Sequence, residues 1–184
     1  SSKAKYITIT NIYELDSLLN EISKIGICAI DTETDSLNIE TANLVGISLC
    51  YNEGFAYYIP INHKDLFDQK ILIDQISEQK VLEAIDSICS NPSILKVGQN
   101  IKFDIRILNK YGIRFEAIAD TMLMSYALDN GLTRHGMDDL AFIHLNHSTI
   151  KFKDVVGSGK KQVTFDFVNI NDATKYAAED ALIT

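Results

Sequence analysis

Ile25-Gly26-Ile27-Cys28-Ala29-Ile30-Asp31-Thr32-Glu33 is an apolar run that closes on two carboxylates one residue apart. A run of this kind reads as a buried strand. Side chains at i and i+2 of a strand share a face, so Asp31 and Glu33 emerge side by side where the strand leaves the core. Two carboxylates held that close repel each other unless a proton or a cation sits between them. Taken alone, the pair has a plain alternative: a strand end finishing in solvated acids. Partners elsewhere in the chain have to decide.

The 184 residues, 46% of them hydrophobic, suit a single domain spanning 1–184 with a sizeable core. Only two prolines are present and no long stretch is poor in apolar residues, which argues against disorder. No apolar segment approaches the ~20 residues of a membrane span, and no signal-peptide pattern opens the chain. Cys28, Cys50 and Cys89 cannot all pair, and no CxxC or Cys/His ligand spacing accompanies them. Buried free thiols in a reducing cytoplasm fit better than a thiolate zinc site. A net charge of −8 argues against a surface that grips phosphate everywhere. It leaves room for a small nucleic-acid site whose clustered acids are neutralised by metal ions.

Around the strand ending at Asp31 the other elements fall into order. An extended opening (Tyr6 to Thr10) precedes an amphipathic helix from Tyr13 to Lys24, with Leu15, Leu18, Leu19 and Ile22 on one face. Leu44 to Tyr51 and Phe55 to Pro60 read as a hairpin turning at Asn52-Glu53-Gly54. Helical spacing covers Asp74 to Ser90, Ser93 to Val97 returns as a strand, and Ile101 to Tyr111 is helical with Gly112 as C-cap. A strand at Phe115 to Ala119 leads into helices at Thr121 to Leu128 and Met137 to Leu145. Asn146 to Thr164 reads as irregular and lysine-rich, and a last helix starts after Asn171, with Asn171 or Asp172 as N-cap. A hairpin followed by alternating strands and helices predicts an α/β domain with a mixed sheet. Ligand sites in such sheets gather at strand ends and helix starts, where Asp31 and Glu33 lie.

Two further acidic stations follow. In Val97-Gly98-Gln99-Asn100-Ile101-Lys102-Phe103-Asp104 a strand runs through a turn into a helix, and Asn100 and Asp104, four apart, share a face. In Tyr176-Ala177-Ala178-Glu179-Asp180 the tyrosine and the second acid are one helical turn apart, with small residues between them that permit close packing. Singly, Asp104 reads as a solvated helix acid and Tyr176 as a half-buried aromatic. Together the stations make a tyrosine and four carboxylates at strand ends and helix faces, and chance explains that set poorly.

Asp31-Thr32-Glu33-Thr34-Asp35-Ser36-Leu37, Lys96 to Asp104 and Tyr176 to Ala181 resemble the proofreading 3′–5′ exonuclease domain of bacterial DNA polymerase I. Asp120-Thr121-Met122-Leu123 and Arg134-His135-Gly136-Met137-Asp138-Asp139-Leu140-Ala141 follow the same domain in order and spacing. The likeness runs from about Ile27 to the end. It implies a DEDD exonuclease of the tyrosine subtype with a ribonuclease-H-like mixed β-sheet flanked by helices.

The resemblance also implies two divalent ions, Mg²⁺ or Mn²⁺, suited to hard oxygen ligands. Asp31 would bridge both, Glu33 and Asp180 would complete the ion that activates water, and Asp104 would hold the second through water. Tyr176, whose free pKa of about 10 makes it a poor base at neutral pH, would orient the attacking water with Glu33. By the same likeness Leu37 is a wedge against the terminal base and Phe152 an aromatic that contacts a base. Thr34, Gln99, Asn100 and Arg134 match positions near the terminal nucleotides. Core packing is the ordinary alternative for Leu37 and Phe152.

The substrate implied is the 3′ end of single-stranded DNA, in a cytoplasmic, nucleoid-associated bacterial monomer. Thr184 falls one turn after Asp180, which predicts an excerpt continuing into a polymerase domain. Two other functions stay open: a ribonuclease-D-like RNA trimmer, and a catalytically silent structural or DNA-binding module.

Gly157-Ser158-Gly159-Lys160-Lys161 has a phosphate-loop flavour but lacks the first glycine and the Ser/Thr after lysine. A mobile basic loop able to touch the DNA backbone is the better reading. His135 reads as structural or substrate-facing, and His63, His144 and His147 as surface or packing residues. Tyr57 and Tyr58 read as core and rim.

Overall fold

The computed structural model describes residues 4–129, 136–145 and 147–184. Six strands form one sheet in the order β1-β4-β3-β2-β5-β6. These are β1 (Lys5–Thr8), β2 (Ile27–Thr34), β3 (Leu44–Asn52), β4 (Phe55–Pro60), β5 (Leu95–Gly98) and β6 (Ile118–Asp120). The β2–β3 and β3–β4 pairs are antiparallel, and β1–β4, β2–β5 and β5–β6 are parallel. The mixed α/β sheet expected from the sequence is therefore the sheet observed.

The opening run divides differently from its reading as one strand. Ile25 ends helix α1 (Ile12–Ile25), and Gly26, at φ 82°, takes the left-handed C-cap that glycine adopts without a β-carbon clash. Strand β2 starts at Ile27 and continues through Thr34, past Asp31 where it was expected to end. Its register against β3 shifts between Glu33 and Thr34.

Alternation along β2 sorts its side chains between two layers. Cys28 and Ile30 belong to the larger core, with Leu15, Leu18, Leu19 and Ile22 of α1, Val81, Ile85 and Ile88 of α2 (Glu78–Cys89), and Ile101, Ile107 and Leu108 of α3 (Ile101–Asn109). Ala29, Asp31 and Glu33 turn to the opposite face. Further helices are α4 (Thr121–Asp129), α5 (Met137–Leu145), α6 (Phe152–Val156) and α7 (Ile170–Ile183). Helix α7 crosses β1, β4, β3 and β2 on the face that carries Asp31. Its contact side is Ala173, Ala177, Ala178 and Ala181, all buried against Val45, Cys50, Ala56 and Tyr58. Alanines bring the helix axis close to the sheet. The next side chains around the helix, Tyr176 and Asp180, are thereby placed over β2.

Three local expectations are corrected. The last helix is capped by Asn169, whose side chain accepts from Asp172 N–H at 2.9 Å, so neither Asn171 nor Asp172 is the cap. Helix α2 starts at Glu78, four residues later than its spacing suggested, since Ser77 already has extended backbone at ψ 144°. Residues 147–164 are more ordered than an irregular tract: they hold α6 and a 3₁₀ turn at Gly159–Lys161. The three cysteines are free and buried.

His63 is fully buried, and its ring nitrogens lie 2.7 Å from the Tyr58 hydroxyl and 2.9 Å from the Val168 carbonyl. The carbonyl requires Nδ1 to carry the proton, so Nε2 accepts from Tyr58. Burial holds this histidine neutral, with its pKa lowered to about 4.

Candidate active site

Asp31 and Glu33 from β2 and Asp180 from α7 each offer an oxygen, and the three atoms lie within 4.8 Å of one another. They share a groove of about 560 Å³ with Tyr176, Thr34, Leu37, Phe152 and Phe165. Glu33 is only 8% exposed, and its Oε1 is buried without a hydrogen-bond partner among the described residues. A buried, unsatisfied carboxylate oxygen beside two other carboxylates is costly unless a cation or proton joins it. All-oxygen, all-anionic donors suit a hard divalent cation. The residues fit such an ion.

The fourth carboxylate is held apart. Asp104, on the first turn of α3, is buried and stands outside that trio. Its Oδ1 accepts from Thr32 N–H at 2.8 Å and from Thr32 Oγ1 at 2.5 Å. Thr32 alternates with its two acidic neighbours, so its side chain meets α3 while theirs meet α7. That explains why a set of four divides into three and one.

The electrostatics agree with a crowded anionic site. Burial, then Asp104 and Asp180, push the Asp31 carboxyl well above its ordinary range. Burial and Asp31 do the same to Glu33. Asp104 is raised to about 7, mainly by burial, against the two Thr32 hydrogen bonds that favour its charged form. Asp180 is also raised to about 7, by burial and by Glu179, with the Tyr176 hydroxyl opposing the shift. Burial and the surrounding carboxylates drive the Tyr176 phenol upward as well, which leaves it a hydrogen-bond donor at neutral pH.

An aromatic wall stands over the carboxylates. Phe152 lies 5.8 Å from Tyr176 and 6.3 Å from Phe165, and Phe165 lies 5.9 Å from Tyr176. Phe152 is nevertheless 47% exposed, and Leu37, which also lines the groove, is 90% exposed. Core packing therefore does not account for Leu37. Gln99 and Asn100 do not line this groove. The Gln99 side chain accepts from Thr121 Oγ1, and Asn100 is the left-handed residue at φ 54° that starts α3. Arg134 and His135 lie outside the described residues.

Sequence reasoning gave no role to Asp120 or Glu179, both buried. Asp120 accepts from Asn100 N–H (3.0 Å), Ile101 N–H (3.0 Å) and Met122 N–H (2.9 Å), which fixes the start of the helix that carries Asp104. Glu179 accepts from His147 Nε2 at 2.8 Å and Ile150 N–H at 2.7 Å, tying the segment before Phe152 to α7. Asp120 was visible inside a quoted motif. Its partners at the start of α3, about twenty residues upstream, carry no pattern that points to it.

Residues 6–184 match the family described as 3′–5′ exonuclease. The chain belongs to that family. DNA polymerase I of Rhizobium leguminosarum is 42% identical over 192 residues, covering 97% of this chain and 19% of the relative. DNA polymerase I of Pseudomonas aeruginosa is 39% identical over 186 residues, covering 100% of this chain and 20% of the relative. The exonuclease domain thus spans about a fifth of the length of these curated relatives. Among solved structures, Escherichia coli RNase D, an exoribonuclease involved in structured RNA processing, matches with a TM-score of 0.69 at 17% identity. That match covers 97% of this chain and 42% of the other, and it shows the ribonuclease-H-like fold.

Proposed function

We propose that this exonuclease domain removes nucleotides singly from the 3′ end of single-stranded or frayed DNA. It would serve proofreading as part of a longer bacterial polymerase chain, as a monomer in the cytoplasm at the nucleoid. The observation that carries this is the cluster of Asp31, Glu33 and Asp180 oxygens within 4.8 Å, with a buried, unpartnered Glu33 Oε1. The likeness to DNA polymerase I along the whole chain supports DNA over RNA.

Two divalent ions, Mg²⁺ or Mn²⁺, held by Asp31, Glu33, Asp180 and Asp104, would supply an activated water, a neutralised phosphate and a stabilised leaving oxygen. Glu33 and Tyr176 orient the attacking water, the tyrosine as a donor rather than a base. The water oxygen bonds to the terminal phosphorus, the P–O3′ bond breaks, and the leaving oxygen takes a proton. The products are a nucleoside 5′-monophosphate and a strand one nucleotide shorter. Exposed Leu37 and Phe152, which both line the groove with Thr34, engage the terminal bases. By the family likeness Gln99, Asn100 and Arg134 match positions near the terminal nucleotides, although Gln99 and Asn100 do not line the groove itself.

The test is digestion of an end-labelled oligonucleotide with Mg²⁺ or Mn²⁺, with and without chelator, for wild type, Asp31→Ala and Asp104→Ala. Loss of stepwise shortening in both variants is expected. Undiminished digestion in either would sink the assignment. Matched DNA and RNA strands separate this function from RNA trimming, and calorimetric titration with Mn²⁺ separates it from a silent module.

A further inference from the structure

The catalytic groove presents a physical difficulty to its own substrate. A strand carrying one negative charge per nucleotide must approach three clustered carboxylates on a domain of net charge −8. Cations near the groove mouth are needed to hold the strand in place. Four of the chain's 17 Lys and Arg residues fall within eleven positions: Lys151, Lys153, Lys160 and Lys161. Lys151 is committed to Asp138 at 2.7 Å. Lys153, Lys160 and Lys161 are exposed, and no carboxylate among the described residues pairs with them.

The fold fixes where these lysines sit. Helix α6 ends at Gly157, whose N–H donates to the Lys153 carbonyl at 3.0 Å. The chain then doubles back, and Val163 N–H donates to the Val156 carbonyl at 2.9 Å, closing the loop at its base. Gly157 has φ 80°, and a β-carbon there would press on the Lys161 carbonyl at 3.3 Å. Glycine is thus needed both for the backbone angle and for the close approach. The residues immediately after the lysines, Gln162, Val163 and Thr164, line the catalytic groove. Phe152, the first residue of the helix that leads into the loop, lines it too. The loop is a folded rim whose inner edge is groove wall and whose outer edge carries unpaired cations.

We propose that Lys160 and Lys161, assisted by Lys153, form a binding site for the sugar-phosphate backbone of the strand upstream of the scissile bond. The ligand is the phosphodiester chain, without base preference, because ammonium groups read charge rather than base edges. This rests on the exonuclease function proposed above and adds the path of the strand beyond the groove.

Salt dependence of binding reads such contacts directly. Each phosphate neutralised on a single strand contributes about 0.7 to the slope of log affinity against log salt. For Lys160→Ala/Lys161→Ala, binding of an oligothymidylate ten-mer in Ca²⁺ should weaken about tenfold, with the salt slope smaller by about 1.4. With Mg²⁺, KM should rise by a similar factor while kcat holds within about twofold. The KM ratio of variant to wild type should shrink as the substrate is shortened to a dinucleotide. Lys70→Ala/Lys80→Ala, which removes the same charge from exposed positions elsewhere, is the control and should keep the wild-type slope. Equal slopes and equal KM for the loop variant and wild type would overturn the proposal. A loop variant that matches the control in both would do the same, since net charge alone would then account for the effect. Failure of the wild type to digest any of these strands would instead refute the exonuclease function itself.

Discussion

Replacing Asp180 by asparagine should stabilise the metal-free domain at pH 8 while abolishing its activity. Unfolded, an aspartate titrates near 3.9; folded, Asp180 is raised to about 7. Between those values the folded state binds more protons than the unfolded one, so this group's contribution to stability falls as pH rises. Below about pH 4 the carboxyl is neutral in both states and the penalty is absent. Above pH 7 it is present in full. Moving a carboxyl from its ordinary value to about 7 corresponds to about 4 kcal/mol against the charged folded state. Partial solvent access and relaxation around Asp31 and Glu33 reduce this, and about 2 kcal/mol is the expected gain, or roughly 4–8 °C in Tm for a chain of this size. The assay is urea unfolding of wild type and Asp180→Asn in chelator, from pH 4.5 to 8.5. The difference between the proteins is what matters, because neutral, buried His63 drives the opposite trend. With its pKa lowered to about 4, that histidine costs stability as pH falls through 6.5. The asparagine advantage should rise with pH and plateau near 8, and Mn²⁺ should erase it by stabilising wild type alone. An advantage independent of pH, or a variant less stable at pH 8, would refute burial of the charged Asp180 carboxylate, with Glu179 beside it, as the cause.

Tyr176→Phe should lower kcat roughly tenfold while leaving the alkaline side of the pH profile in place, since the phenol is driven upward and does not titrate as the base; loss of that limb would contradict a positioning role. Asp120→Asn should lower activity through Asp104, so a double-mutant cycle with Asp104→Ala should be strongly non-additive; full additivity would show that the α3 cap acts elsewhere. Leu37→Ala, truncating a side chain already 90% exposed, should weaken single-strand binding without lowering Tm by more than about 1 °C; tight binding by the variant would remove the wedge role.

The fold and the site were unequally legible in the sequence, and the reason is distance along the chain. The continuous apolar run up to Ile30 announced the strand, and the shared face of Asp31 and Glu33 followed because strand geometry acts over two residues. Helical spacing likewise placed Tyr176 and Asp180 on one side of α7. The grouping of the carboxylates into three and one was not legible. It depends on Thr32 facing the other layer and on α3 arriving there, a contact between residues 72 positions apart. The Asn169 cap was missed for a smaller reason: three polar residues within four positions can each cap a helix, and only the backbone entry angle chooses among them. The same logic accounts for Glu179. Beside Asp180 in the chain it looks like a fifth candidate ligand, yet one step along a helix turns a side chain by about 100°. Glu179 turns away from the carboxylate cluster and grips the His147–Ile150 segment instead. Glu179→Gln should therefore spare Mn²⁺ binding measured by calorimetry while raising the KM for long strands, because what it holds is the approach to Phe152. A loss of Mn²⁺ affinity as large as that of Asp180→Asn would place Glu179 among the ligands and overturn this division of roles.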